Sequence, residues 1–130
     1  MRGTPKLSVL VVDDAEDTRE LLAEYLMQAG YHSIMAANGG DALKRLAAIK
    51  PDVIVSDLRM PDMNGGELVR RVRANPDTSA IPIILLSGSG KEKALQELGE
   101  HVRDVSAIFL KPVRLADLQR AIEAALSAAP

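Results

Sequence analysis

The chain has 130 residues, 47% hydrophobic and 26% charged, which are ordinary proportions for one soluble globular domain. Its formal net charge of -2 gives no broad basic surface for direct nucleic-acid binding, and the lack of cysteine excludes disulfides and thiolate chemistry. No apolar run approaches the roughly 20 residues of a membrane span, and the first apolar run meets Asp13 and Asp14, unlike a signal peptide. We therefore expect a cytoplasmic protein without a membrane partner.

Short apolar segments alternate with segments of helical periodicity along the chain. Strands are predicted at residues 7–12, 31–36, 53–56, 81–86 and 107–110. Between and after them, apolar residues three or four positions apart indicate five helices. The marker residues are Leu21, Leu22, Tyr25 and Leu26; Ala42, Leu43, Leu46 and Ala47; Leu68, Val69 and Val72; Ala94, Leu95, Leu98 and Val102; and Leu115, Leu118, Ala121, Ile122 and Ala125.

Five rounds of strand and helix predict an α/β fold, with a parallel sheet covered by helices on both faces. Because parallel strands need right-handed crossovers, few topologies are available. At this size we expect a doubly wound, flavodoxin-like (βα)5 sheet with strand order 2-1-3-4-5. We expect residues 1–130 to form a single domain, structured over approximately residues 6–127.

Polar residues follow four of the predicted strands. Strand 1 is followed by Asp13 and Asp14, strand 3 by Asp57, strand 4 by Ser87 and strand 5 by Lys111. With the order 2-1-3-4-5 these four strands are consecutive neighbours. Ligands of open parallel sheets bind beyond the carboxyl ends of the strands, so these side chains are predicted to form one site.

Three carboxylates at one edge repel one another, which raises the pKa of at least one of them unless a cation intervenes. Mg²⁺ prefers carboxylate, water and phosphate oxygens, so it is the cofactor that this set favours. The Lys111 ammonium and the Ser87 hydroxyl suit phosphoryl oxygens. No histidine lies at this edge, because His32 and His101 fall in other segments. The remaining nucleophile is a carboxylate, which predicts an aspartyl phosphate on Asp57.

Five motifs carry a resemblance to a known family: VLVVDD at 9–14, ANGGDAL at 37–43, DLRMPDMNG at 57–65, PIILLSG at 82–88 and LKP at 110–112. In this order, and at these element ends, the sequence resembles the receiver domain of two-component response regulators over essentially its whole length. The resemblance implies a phosphorylation-controlled switch. Its phosphodonor would be a sensor histidine kinase or a phosphotransfer protein, and its output an unidentified downstream protein.

The resemblance also implies roles for individual residues. Asp57 would be the phosphoacceptor. The metal carboxylates would be Asp14, as the principal one, and Asp13, mainly through water. The backbone carbonyl of Arg59 would complete the metal shell. Ser87 would be the switch hydroxyl and Lys111 the lysine that contacts the phosphate. The peptide bond from Lys111 to the following proline would be cis.

Several positions depart from the family pattern. Ile108 stands where the family usually has an aromatic residue, and Phe109, one residue on, would point to the other face of the strand and into the core. The gap from Ser87 to Lys111 is about two residues longer than usual, so the fourth helix and its loops are expected to be irregular. Arg59 could steady the phosphoryl group or slow the approach of water. Asp62 is interpreted as an ordinary loop residue.

Two alternatives share part of the same residue set. A free-standing aspartyl-phosphate phosphatase would also use a carboxylate nucleophile and Mg²⁺, but such enzymes usually carry a second acid where this chain has Arg59. A degenerate receiver would signal by protein binding alone, and the complete set of acids and lysine disfavours it.

Overall fold

The computed structural model of the protein describes residues 6–128, which contain a five-stranded parallel sheet with helices on both faces. The strands are β1 (Ser8–Val12), β2 (His32–Ala36), β3 (Val53–Asp57), β4 (Ile83–Ser87) and β5 (Ala107–Leu110). The helices are α1 (Glu16–Gln28), α2 (Gly39–Ala48), α3 (Gly65–Ala74), α4 (Lys91–Leu98) and α5 (Leu115–Ala128), with a 3-10 helix at Gly99–Asp104. The strand order is β2-β1-β3-β4-β5, which confirms the predicted fold.

The sheet is buried on both faces, and neighbouring residues of a strand belong to different hydrophobic clusters. In β3, Ile54 packs beneath α2, α3 and α4, whereas Val53 and Val55 pack beneath α1 and α5. A strand enclosed in this way needs apolar side chains at nearly every position, which explains the short continuous apolar runs in the sequence.

Strand pairing aligns the carboxyl ends of the inner strands. In β1 and β3, Val12 pairs with Ser56, so the residues that follow them, Asp13 and Asp57, lie at the same height. In β3 and β4, Asp57 pairs with Leu86. At the opposite edge the Asp52 carboxylate accepts a hydrogen bond from the Ser8 N–H at 2.7 Å, which ties the start of β1 to the start of β3.

Two of the predicted helical stripes need correction. Leu21 faces solvent with 60% of its surface exposed, because α1 buries only the stripe containing Leu22 and Leu26. Val102 is not part of α4. This helix ends at Leu98 because Gly99 adopts a φ of +56°, and the chain continues as the 3-10 helix. The fourth helix is therefore shorter than its apolar pattern indicates.

Ile108 and Phe109 of β5 lie on opposite faces of the sheet, as predicted. Ile108 packs against the cluster beneath α2, α3 and α4, and Phe109 packs against the cluster beneath α1 and α5. Phe109 is only half-buried, since β5 is an edge strand. The bond between Lys111 and Pro112 is cis, as the resemblance implies. Within residues 6–128, every helix is too short or too polar to cross a bilayer.

Candidate functional site

Three aspartates meet at the carboxyl edge of the sheet. Asp57 is the last residue of β3 and is 7% exposed, Asp13 follows β1 and is 1% exposed, and Asp14 is exposed to solvent. One carboxylate oxygen from each lies within 4.8 Å of the other two. The predicted gathering of these acids is therefore present in the structure, and its donor set consists of the hard oxygen ligands that Mg²⁺ prefers.

Lys111 lies between the two buried acids. Its Nζ is 3.4 Å from Asp13 Oδ2 and 3.3 Å from Asp57 Oδ2. The backbone N–H of Lys111 donates to the Ser87 carbonyl at 2.8 Å, so the end of β5 is fixed to the end of β4. We call Asp13, Asp14, Asp57 and Lys111 the acidic edge.

Hydrogen bonds at the start of α1 orient the Asp13 side chain so that one of its two carboxylate oxygens faces the site. Its Oδ1 accepts from the Ala15 N–H at 2.9 Å, at the start of α1, and its carbonyl accepts from Arg19 Nη1 at 2.8 Å. Its other oxygen, Oδ2, faces Lys111. Asp13 thus joins α1 to the site.

Burial raises the pKa of Asp57 above its ordinary value. The Lys111 ammonium opposes this effect, the Asp13 carboxylate adds to it, and a backbone hydrogen bond from Arg59 lowers the pKa again. The net shift is upward because the cost of burying the Asp57 carboxylate outweighs the favourable charge of Lys111. A bound divalent cation would favour the ionised form, because a nearby positive charge stabilises a carboxylate.

The loop after Asp57 leaves the sheet at Leu58 and returns to this residue at Gly65, the start of α3. The Leu58 N–H donates to the Leu86 carbonyl at 2.8 Å, and the Gly65 N–H donates to the Leu58 carbonyl at 2.6 Å. A Cβ at position 65 would lie 3.0 Å from the Leu58 Cα and 3.3 Å from the Asp57 carbonyl oxygen. A larger residue here would push the backbone around Leu58 by a few tenths of an ångström, so glycine allows α3 to start this close to Asp57.

Ser87 is buried at the end of β4, but its hydroxyl contacts Ser89 in the loop that follows this strand. Ser87 Oγ lies 3.2 Å from Ser89 Oγ and accepts from the Ser89 N–H at 3.3 Å. Among the hydrogen bonds formed within residues 6–128, none joins this hydroxyl to the acidic edge. The Arg59 side chain also points elsewhere: its Nη2 pairs with Glu97 Oε1 of α4 at 3.2 Å.

Asp62 has a structural role that the sequence interpretation missed. Its carboxylate accepts from the backbone N–H groups of Gly39 at 3.1 Å and Gly40 at 2.7 Å, at the start of α2. Burial raises the pKa of Asp62, but backbone hydrogen bonds from Gly40 and Gly39, and from Asp62 and Met63, together outweigh it, and the net shift is downward. The Gly-Gly start of α2 was an available signal, since it exposes N–H donors that need a partner.

Comparison with known proteins assigns the family. Residues 9–123 match the model of the response regulator receiver domain. The chain belongs to the receiver domain family. This receiver domain is 31% identical over 124 residues to "Probable chemotaxis protein CheY" of Rhizobium etli, with 95% of each chain covered.

Solved structures agree with the family assignment. The chemotaxis response regulator CheY4 of Vibrio cholerae has a TM-score of 0.80 at 28% identity, covering 93% of this chain and 99% of that one. The signal receiver domain of a histidine kinase from Syntrophus aciditrophicus has a TM-score of 0.82 at 29% identity, covering 92% of this chain and 89% of that one. Receiver domains typically bind a divalent metal and interact with histidine kinases or phosphotransfer proteins and with downstream effectors.

Proposed function

We propose that this receiver domain accepts a phosphoryl group on Asp57 from the phosphohistidine of a histidine kinase or phosphotransfer protein. The observation that carries the proposal is the position of Asp57. Its buried carboxylate lies 3.3 Å from the Lys111 ammonium and within 4.8 Å of oxygens of Asp13 and Asp14. A carboxylate surrounded in this way suits phosphoryl transfer, which needs placement and charge neutralisation.

The residues of the acidic edge fit a magnesium ion. The carboxylates of Asp13, Asp14 and Asp57 would hold it, together with the backbone carbonyl of Arg59. When bound, Mg²⁺ neutralises the charge that collects on the carboxylate and phosphoryl oxygens. The geometry supports this assignment, because one carboxylate oxygen from each of the three aspartates lies within 4.8 Å of the other two.

The transfer step replaces one bond to phosphorus with another. A carboxylate oxygen of Asp57 attacks the phosphorus, and the P–N bond to the donor histidine breaks. The electron pair of that bond returns to the ring nitrogen, which leaves as neutral imidazole when the other ring nitrogen is protonated. Lys111 is placed to contact a phosphoryl oxygen throughout, as a compact positive charge.

The phosphorylated state ends when water attacks the phosphorus and releases inorganic phosphate. Until then, the phosphoryl group must favour one conformation through contacts that exist only in that state. The Ser87 hydroxyl is a candidate for such a contact, because Ser87 directly follows Leu86, the residue of β4 that pairs with Asp57. The altered surface would then be recognised by a downstream protein.

Incubation with Mg²⁺ and acetyl phosphate, followed by intact mass measurement, tests the proposal. The wild-type protein should gain the mass of one phosphoryl group, and EDTA should prevent the gain. Asp57→Asn should abolish it, whereas Asp77→Asn, at an exposed position outside the site, should leave it unchanged. A gain that survives in Asp57→Asn would overturn the assignment.

The alternatives are less well supported. An arginine stays protonated and is a poor proton donor to a leaving group, so Arg59 does not replace the second acid of an aspartyl-phosphate phosphatase. A receiver that signals by protein contact alone has no need of a lysine in contact with two buried acids. Steady turnover of a phosphomonoester would favour the phosphatase, and failure to bind Mg²⁺ would favour the degenerate receiver.

A further inference from the structure

A surface ion pair connects the loop after Asp57 to α4. Arg59 Nη2 lies 3.2 Å from Glu97 Oε1, and the two side chains are 55% and 20% exposed respectively. Glu97 belongs to the last turn of α4, just before the helix ends at Leu98. This pair therefore joins the segment that carries the acceptor to the part of the chain that departs most from the family pattern.

The backbones at both ends of this pair are fixed. Arg59 lies two residues after Asp57 in the chain, and its backbone N–H is directed at the Asp57 carboxylate. The Glu97 carbonyl packs against the start of α3, where a Cβ on Gly66 would lie 3.3 Å from its oxygen. Leu98, next to Glu97, is fully buried in the core. The Arg59–Glu97 pair is thus an additional side-chain contact where the end of α4 packs beside the loop that follows Asp57.

Phosphorylation changes the electrostatic balance around Arg59. A phosphoryl group on Asp57 brings additional negative charge and new acceptor oxygens to a point two residues from the Arg59 backbone. A guanidinium offers five N–H donors in a planar arrangement that matches phosphoryl oxygens. Exposed ion pairs such as Arg59–Glu97 are weak and exchange partners easily. The two anions therefore compete for one cation.

We propose that Arg59 is a positioning residue that exchanges Glu97 for the phosphoryl group on Asp57, and that this exchange releases the end of α4. The inference rests on the proposed function of Asp57. It assigns Glu97 the role of a competitor, which opposes the phosphorylated state from a different element of the fold. It also favours the first of the two sequence-based alternatives for Arg59, the one in which its side chain steadies the phosphoryl group.

Binding of beryllofluoride, a phosphoryl mimic, in the presence of Mg²⁺ tests the exchange, with affinities measured by ¹⁹F NMR. Glu97→Gln should tighten binding about two- to fivefold, the range expected for an exposed ion pair. Arg59→Met should weaken binding by a similar factor. In the Arg59→Met background, Glu97→Gln should have no further effect. The matched control is Glu92→Gln, which removes the same charge from the exposed first turn of α4 and should leave the affinity unchanged.

Hydrogen exchange of α4 provides a second measurement that does not depend on affinity. Beryllofluoride should speed amide exchange in residues 91–98 of the wild type, and Glu97→Gln should show faster exchange before any addition. Unchanged affinity in Glu97→Gln, or an equal effect of Glu97→Gln with and without Arg59, would overturn the exchange. Failure of the wild type to bind beryllofluoride with Mg²⁺ would instead overturn the proposed function, so the two failures are distinguishable.

Discussion

The acidic edge and the segment between β4 and β5 lie side by side but are held in different ways. The acids follow directly on paired strands, so the register of β1, β3 and β4 fixes their height and spacing. The segment from residue 88 to residue 106 lies outside the strands, and it rejoins the sheet at its end, where the Ser106 N–H donates to the Ile83 carbonyl of β4 at 2.7 Å. It contains a helix of 8 residues, a 3-10 helix of 6 residues, and glycines with positive φ at positions 90 and 99.

One side chain replaces strand pairing in that segment. The Arg73 guanidinium, at the end of α3, donates to the Asp104 carbonyl at 2.7 and 3.1 Å, to the Ser79 carbonyl at 3.0 Å and to the Ile81 carbonyl at 2.6 Å. It thereby connects the 3-10 helix to the start of β4. The comparison teaches that strand pairing holds the acidic edge in place, whereas side-chain contacts such as those of Arg73 hold the neighbouring segment.

Among these substitutions, we expect the largest effect from removing the positive charge of Lys111 in the acidic edge. Lys111→Met keeps the unbranched side chain up to its last atom but removes the charge beside Asp13 and Asp57. We expect the rate of acetyl-phosphate labelling to fall about 100-fold, the usual cost of losing one group that stabilises developing charge. Time courses of intact mass give the rate. The control is Lys91→Met, at an exposed position on α4, and a Lys111→Met rate within threefold of the wild-type rate would contradict the role of the lysine.

Removing the arginine that holds the neighbouring segment should affect stability instead. Arg73→Met leaves three backbone carbonyls without their charged donor, and we expect the free energy of unfolding to fall by about 2–3 kcal/mol. Urea unfolding followed by circular dichroism measures the change. Arg103→Met, at an exposed position in the same segment, should stay within about 0.5 kcal/mol of the wild type. Equal losses in the two variants would show that Arg73 has no special structural role.

A smaller effect is expected at the loop that joins the acidic edge to α2. Asp62→Ala removes the acceptor for the Gly39 and Gly40 N–H groups, which should cost about 1 kcal/mol at neutral pH. Because folding lowers the pKa of Asp62, its contribution is present above the unfolded pKa of about 3.9 and is lost as the pH falls through the folded pKa.

Unfolding curves of wild type and Asp62→Ala should therefore converge in acid. The control Asp77→Ala, at an exposed position, should follow the wild-type curve at every pH. A difference between wild type and Asp62→Ala that does not depend on pH would show that the carboxylate charge is not what stabilises the loop.

The sequence was sufficient to predict the sheet order and the meeting of Asp13, Asp14, Asp57 and Lys111, because each of these residues follows an apolar strand. Strand pairing then leaves little freedom, and the position of a residue along its strand decides which edge it reaches. The α/β alternation also placed all five helices, although their ends shifted by a few residues.

The features that sequence reasoning missed depend on the directions of side chains or on the backbone conformation of a single residue. The partner of Arg59 is Glu97, 38 positions along the chain, and no local pattern pairs the two. The capping of α2 by Asp62 likewise joins residues that are distant in sequence. The irregularity of the fourth helix was expected, but the residue at which it ends was not, because that end depends on the φ of Gly99 while Val102 continues the apolar spacing.

The tie between Ser8 and Asp52, at the edge of the sheet remote from the acids, has a consequence for how this chemistry persists through evolution. A slip of one residue between β1 and β3 would turn Asp57 to the opposite face, so this polar anchor and the pairing it fixes protect the reactive geometry from afar. Core side chains can then be exchanged for others of similar volume without moving the acids. Such tolerance agrees with the 31% identity between the chain and its Rhizobium relative over 124 aligned residues.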